Sequence, residues 1–285
     1  MSTLRLLIPD WQGGNRPEYY LGAKLLAALA PKSQKQEQVE IKVARTTTKV
    51  ELENGVHAQS ALSEQIKKTK EVLNKKAPTK VITLGGTCFI SQAPFDYLHA
   101  KYQEKLGIIW LDAHPDVSTP EDFTNEHAMV LGNLLHAGHK KLAQQVEAPL
   151  DPKSILYVGL QKLNAYEVDR LAQLGIKYHD QTAGALPLEA IQAWIDANGF
   201  TKLAIHFDVD VLAPTDFHSL YFAEPNVKAY SASAGQMSFA EVSALLKMLS
   251  SQNEVVGLSI AEYLPWDALR LNQLFEQLDI FQADR

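Results

Sequence analysis

The chain has 285 residues, of which 46% are hydrophobic and 21% charged, proportions that suit a folded protein able to build one large α/β domain spanning residues 1–285. A net charge of −6, with no basic cluster beyond Lys67-Lys68-Thr69-Lys70 and Lys75-Lys76, argues against a nucleic-acid or anionic-membrane partner. The single cysteine, Cys88, excludes an internal disulfide framework, and no apolar stretch reaches the length of a membrane span.

Leu4 to Ile8 reads as the first strand. It is too short for an export signal and is broken by Pro9-Asp10, so a cytoplasmic protein is expected. Trp11 to Pro17 is a turn-rich loop, and Tyr20 to Leu29 has helical spacing that Pro31 ends. Val39 to Ala44 is a second strand. Ser63 to Lys75 is an amphipathic helix with Ile66, Val72 and Leu73 inward. Val81 to Leu84 is a buried strand, after which Gly85-Gly86 allows a sharp turn.

Leu106 to Leu111 is a continuous apolar run, the pattern of a parallel strand buried on both faces. It ends in Asp112-Ala113-His114-Pro115-Asp116. In an extended chain the i, i+2, i+4 spacing of Asp112, His114 and Asp116 puts three side chains on one side. Two carboxylates and an imidazole aimed together resist desolvation, and a divalent cation such as Mn²⁺ resolves that cost. A solvated loop with its acids facing water is the competing reading of this motif taken alone.

Farther on, Asn133 to Val146 is a helix and Ser154 to Leu160 a strand. Asn164 with Glu167 is a helix-start signature. Ile176 to Tyr178 is a short strand, and Pro187 to Asn198 a helix with Gly199 past its end. Leu203 to Leu212 repeats the earlier design, a buried run carrying the i, i+2 pair Asp208 and Asp210. Two such strands point to a shared cation site where the ends of a parallel sheet converge. Ser238 to Glu241 opens a helix by a capping box, Val255 to Ile260 is the last strand, and Trp266 to Phe281 is a closing amphipathic helix. Strands alternating with helices predict a three-layer α/β/α fold with a central, mainly parallel sheet. His99, His136 and His139 stand outside any motif and read as structural.

Five features together resemble the arginase/agmatinase/formiminoglutamase superfamily, the ureohydrolases. They are D-A-H-x-D at Asp112 to Asp116, F-D-V-D at Phe207 to Asp210, Gly85-Gly86 after a strand, His127 a short loop past the first motif, and Glu262 in A-E-Y-L-P. The resemblance runs in the family's order from about Val81 to Pro265. It implies an arginase-like fold and a pair of Mn²⁺ ions that activate water. Metal ligands would be Asp112, His114, Asp116, Asp208 and Asp210, with the Asp116 position also counted in the catalytic set. Glu262 would hold a guanidinium or amidine, matched by a carboxylate, and His127 would carry a proton to the departing amine. It also implies a homo-oligomer, a trimer or hexamer.

The chain departs from that pattern in three places. Family members carry G-G-D-H-S where this chain has Gly85-Gly86-Thr87-Cys88-Phe89, so Cys88 stands at a metal-ligand histidine. Cys88 is either a thiolate ligand, better suited to Zn²⁺ or Fe²⁺, or a small buried hydrophobe beside a half-empty site holding one cation. The family's D-P after the second motif is Ala213-Pro214 here. Ser118, Phe123 and Asn164 fall where arginases hold the amino-acid end of their substrate, and the lost negative charge at Asn164 argues against free arginine. The expected reaction is hydrolysis of a C–N bond in a small guanidino or formimino compound, releasing urea or formamide and an amine. Two alternatives stand beside it: a metal-poor family member with a binding or regulatory role, and a metal hydrolase acting on amides.

Overall fold

The computed structural model describes residues 2–45 and 50–281. The first half of the chain contains β1 (Thr3–Ile8), α1 (Glu18–Leu29), β2 (Glu37–Glu40), β3 (Leu52–Glu53), β4 (Val56–His57), α2 (Gln59–Lys76), β5 (Lys80–Gly85), α3 (Gln92–Tyr102), β6 (Leu106–Leu111), α4 (Val130–Leu134) and α5 (Lys140–Ala143). The second half contains β7 (Ile155–Val158), α6 (Ala165–Leu174), α7 (Leu188–Ala197), β8 (Lys202–Asp208), α8 (Phe239–Gln252), β9 (Val255–Ala261) and α9 (Trp266–Gln277). Seven strands form one sheet in the order β2-β1-β5-β9-β8-β6-β7. Every neighbouring pair in it is parallel, while β3 and β4 make a separate short antiparallel pair.

Both faces of the sheet are covered, as continuous apolar strands require. In β6, Leu106, Ile108 and Trp110 join one core with Phe95 and Leu98 of α3 and Val130, Leu131 and Leu134 of α4. The alternate residues Ile109 and Leu111 join a second core with Ile191 and Ile195 of α7 and Val242, Leu245 and Leu249 of α8. The three-layer α/β/α expectation is therefore met, with a main sheet that is wholly parallel. Among the described residues, no helix is long and apolar enough to cross a membrane.

Strand order places the site. The chain builds β1, β2 and β5, crosses over to β6 and β7, and then returns to insert β8 and β9 into the gap between β5 and β6. The C-terminal ends of β1, β5, β9, β8 and β6 consequently lie side by side, where open parallel sheets bind ligands.

Four local expectations need correction. The second strand is Glu37–Glu40, not Val39 to Ala44; as an edge partner of β1 it tolerates Glu37, Gln38 and Glu40, which an apolarity reading passes over. The helix expected over Asn133 to Val146 is two short pieces, α4 and α5. His136 has φ +58°, and the Asn133 side chain accepts the His139 N–H at 2.7 Å, so the chain turns there. Ile176 to Tyr178 is not a strand: Gly175 has φ +70° and the Ile176 N–H bonds the Leu171 carbonyl, closing α6. Finally, α9 stops at Gln277 and a short turn covers Asp279–Phe281, because only Trp266 and Leu269 of that helix are buried.

Candidate functional site

The loops after five adjacent strands carry the polar residues of the site. After β5, Gly86 passes so close to Asp10 that a Cβ there would lie 1.5 Å from the Asp10 carbonyl oxygen. Only glycine permits that approach. The Gly86 carbonyl accepts the Glu262 N–H at 2.7 Å, and Glu262 itself has φ +65°, so β5 and β9 end locked together. Asp10, past β1, accepts the Gln12 N–H at 3.1 Å and the Thr87 hydroxyl. Burial pushes its carboxyl up to about 6. Thr87 thus ties two of these loops together.

Asp112, His114 and Asp116 do not form an extended run. The Asp112 Oδ1 accepts the His114 N–H at 2.7 Å, and Asp116 has φ +51°, so the three side chains converge through a tight turn. Asp208 ends β8 and caps the turn Val209–Val211, accepting the Asp210 N–H at 2.7 Å. His114 Nδ1 lies 3.1 Å from Asp210 Oδ2 and 3.6 Å from Asp112 Oδ1. Cys88 faces the same centre: its thiol donates to Asp208 Oδ2 at 2.8 Å and lies 3.7 Å from Glu262 Oε1.

These groups are too buried to share their charges comfortably. Burial, reinforced by neighbouring carboxylates, raises Asp208 and Asp116 well above the usual carboxylate range, and Asp210 rises to about 6. Burial also pushes the Cys88 thiol well up, as does the adjacent Asp208 charge. Asp112 behaves oppositely: burial opposes its charge, but the neighbouring imidazoles of His114 and His206 outweigh that and lower its pKa. Asp112 Oδ2, His114 Nε2, Asp116 Oδ2 and Asp210 Oδ1 are buried with no hydrogen-bond partner. Orphaned acceptors in a crowd of mutually repelling acids are what a divalent cation satisfies, so this donor set fits a metal centre.

Ligand atoms of Asp112, His114 and Asp210 lie within 4.8 Å of one another, as do those of Cys88, Asp112, His206 and Asp208. The structure thus brings five of the expected ligands together, and Asp116 lines the same cavity without joining either close group. His206 is absent from the expected set. Its signal was present, because it sits two residues before Asp208 and shares its face of β8.

A cavity of about 520 Å³ opens above this floor. His127 and Glu262 meet in it, with His127 Nδ1 2.7 Å from Glu262 Oε1, and the Tyr19 hydroxyl donates to Glu262 Oε2 at 2.6 Å. Burial opposes charge on both members of the pair. The Glu262 charge nevertheless raises His127, and His127 holds Glu262 low. Ser118, Phe123 and Asn164 line the wall of this cavity. Asn164 also caps α6, its N–H donating to Glu167 Oε2 at 2.7 Å. Glu167 lines the wall too, which returns a carboxylate to the place where Asn164 is neutral. His99, His136 and His139 lie elsewhere, each bonded to a backbone carbonyl.

Comparison with known proteins points to one family. The Arginase family model matches residues 16–269. An arginase of Plasmodium berghei (strain Anka) is 26% identical over 216 residues, 72% of this chain and 55% of the relative. Human Arginase-1 is 33% identical over 132 residues, 41% of this chain and 40% of the relative. The chain therefore matches about half the length, or less, of these curated relatives. The crystal structure of Entamoeba histolytica arginase in complex with L-ornithine superposes with a TM-score of 0.78 at 17% identity, covering 93% of this chain and 91% of that one.

Proposed function

This chain belongs to the arginase family, and from that premise we propose that it is a metal-dependent hydrolase cleaving the C–N bond of a guanidino or formimino compound, releasing an amine with urea or formamide. The observation that carries the reading is the convergence of orphaned, buried ligand atoms beneath the His127–Glu262 pair in one cavity.

Asp112, His114, Asp208, Asp210 and Cys88, with Asp116 at the margin, would hold the cations. A bound cation pair supplies a water acidic enough to act as nucleophile at neutral pH. The protein's own groups do the rest. Glu262 stays ionised although only 3% exposed, since His127 and Tyr19 stabilise its charge. Its remaining lone pairs can accept from a planar guanidinium or amidinium. Tyr19 fixes the carboxylate plane. His127, with its affinity for protons raised by Glu262, is the donor that converts the leaving amine into a good leaving group.

The walls favour a cationic far end on the substrate. Arg16, which could bind a carboxylate, already pairs with Glu224 at 2.9 Å. Glu167 beside the neutral Asn164 offers a partner for an ammonium. An amine-terminated guanidine such as agmatine meets both conditions, whereas free arginine would bury a carboxylate without a free cation.

The test is a screen of the Mn²⁺-loaded protein for urea or formamide release from guanidino and formimino compounds. Release that disappears in Glu262→Gln supports the proposal. A metal-loaded protein that releases neither product from any compound overturns it. Hydrolysis of amides that is indifferent to guanidine inhibitors would move the chain to the amide-hydrolase alternative.

A further inference from the structure

One buried imidazole at the floor of the site has no part in the chemistry above. His206 is fully buried in β8, on the sheet face that carries Asp208. Its ring stacks on Trp110, with centroids 3.9 Å apart and planes 16° apart. Nδ1 lies 2.7 Å from Ser91 Oγ, and Ser91 closes the turn that Cys88 begins. The ring is therefore held on one side and along one edge. Its free corner, Nε2, is buried and has no hydrogen-bond partner.

That corner is aimed at the acids. Nε2 is 3.5 Å from Asp112 Oδ2, which is itself unpartnered. The separation is roughly half an ångström longer than a good N–H···O bond. Cys88, Asp112, His206 and Asp208 are all buried, and their ligand atoms all lie within 4.8 Å of one another. If Nδ1–H donates to Ser91, Nε2 presents a bare lone pair to the Asp112 carboxylate, an arrangement that a cation between them makes favourable.

We propose that Cys88, Asp112, His206 and Asp208 form one cation site of their own, with His206 supplying from β8 the imidazole that Cys88 no longer supplies from the loop after β5. One sulfur, one nitrogen and two oxygens at four-fold coordination suit Zn²⁺, Co²⁺ or Fe²⁺. They do not suit Mn²⁺, which the general affinity order already disfavours. Asp112 also belongs to the neighbouring group with His114 and Asp210. The centre is therefore asymmetric, a thiophilic cation deep in the floor and a harder one nearer the cavity. This inference rests on the reading that the floor holds cations, and not on the reaction.

The test is anaerobic titration of the metal-free full chain with Co²⁺, followed by absorption spectroscopy. The wild type should show a thiolate-to-cobalt charge-transfer band together with the intense visible bands of tetrahedral Co²⁺. Cys88→Ser should lose the first. His206→Gln can still hydrogen-bond Asp112 but is a poor ligand. It should alter the visible bands and weaken Co²⁺ binding by more than the roughly 10–100-fold that loss of an outer partner costs. Spectrum and affinity unchanged in His206→Gln would make the imidazole a hydrogen-bonding neighbour and overturn the proposal. Bound cobalt without the thiolate band would overturn it through Cys88. No binding at all would overturn it together with the cation reading of the floor. X-ray absorption of the wild type loaded with one equivalent of Zn²⁺ needs no variant. It should show one sulfur near ~2.3 Å with imidazole scattering, and a shell of oxygen alone would refute the site. Urea release enters none of these readouts, so an inactive protein with the cobalt signature separates this site from the proposed activity.

Discussion

His127 Nδ1 lies 2.7 Å from Glu262 Oε1, although the two residues come from the loop after β6 and the end of β9. The contact couples the proposed proton donor to the group that would hold the substrate. Each shifts the other towards its charged form against the pull of burial.

If His127 delivers the proton to the leaving amine, His127→Ala lowers kcat by about 10²–10⁴. KM should rise by a smaller factor, because Glu262 remains but loses the imidazole that lowers its pKa. Steady-state product release checks both constants, and an unchanged kcat removes His127 from proton transfer.

Tyr19→Phe deletes the hydroxyl that donates to Glu262 Oε2 at 2.6 Å. Tyr19 is 2% exposed, so no water replaces it readily. The expected cost is about 1.5–3 kcal/mol in denaturant unfolding, the range for a hydrogen bond to a charged group. KM should rise as the carboxylate loses its fixed plane. Equal stability of the two proteins would show that Glu262 finds another donor.

Buried acids that need a cation make the metal-free protein fragile. Chelation should lower Tm, and added metal at about 100 times its Kd should restore about 2.7 kcal/mol. Asp208→Asn should invert the comparison. In chelator it is the more stable protein, because one repelling charge is gone, and it gains less from metal. A wild type whose Tm ignores both chelator and metal would contradict the cation reading.

Glu126 carries a pH dependence that does not involve the metal floor. It is fully buried, accepts one hydrogen bond from Asn133, and leaves Oε2 unpartnered. Burial pushes its carboxyl up to about 8 from 4.5. The folded chain therefore holds this proton after the unfolded chain has lost it. The contribution is fully present below about pH 4.5 and falls as pH rises towards 8, by at most about 1.4 kcal/mol per pH unit. Glu126→Gln should flatten that part of the stability profile and be the more stable protein at pH 8. Parallel profiles for the two proteins would show that Glu126 ionises normally.

Much of this molecule is legible along the chain. β1, β5, β6, β8 and β9 are apolar runs because strands buried on both faces leave no room for polar side chains. The caps at Asn164 and Ser238 are equally local, since a helix start is satisfied within four residues. Asp112, His114, Asp208 and Asp210 stand out because charge at the end of such a run is costly without a partner.

Residue order could not reveal which groups become neighbours. The insertion of β8 and β9 between β5 and β6 is a pairing of distant segments, and it alone sets Cys88 beside Asp208 and Glu262. The edge strand β2 and the break between α4 and α5 were likewise settled by contacts with other segments. Taken as a sequence feature, His206 is one more polar residue in a strand. Trp110 stacking on it, Ser91 holding it, and Asp112 Oδ2 lying 3.5 Å from its free nitrogen are facts of packing. Sequence thus determined the strands, the caps and the chemistry available at the sheet's edge. Tertiary structure decided the composition of the site, because it depends on distances of a few ångströms between residues up to 243 positions apart.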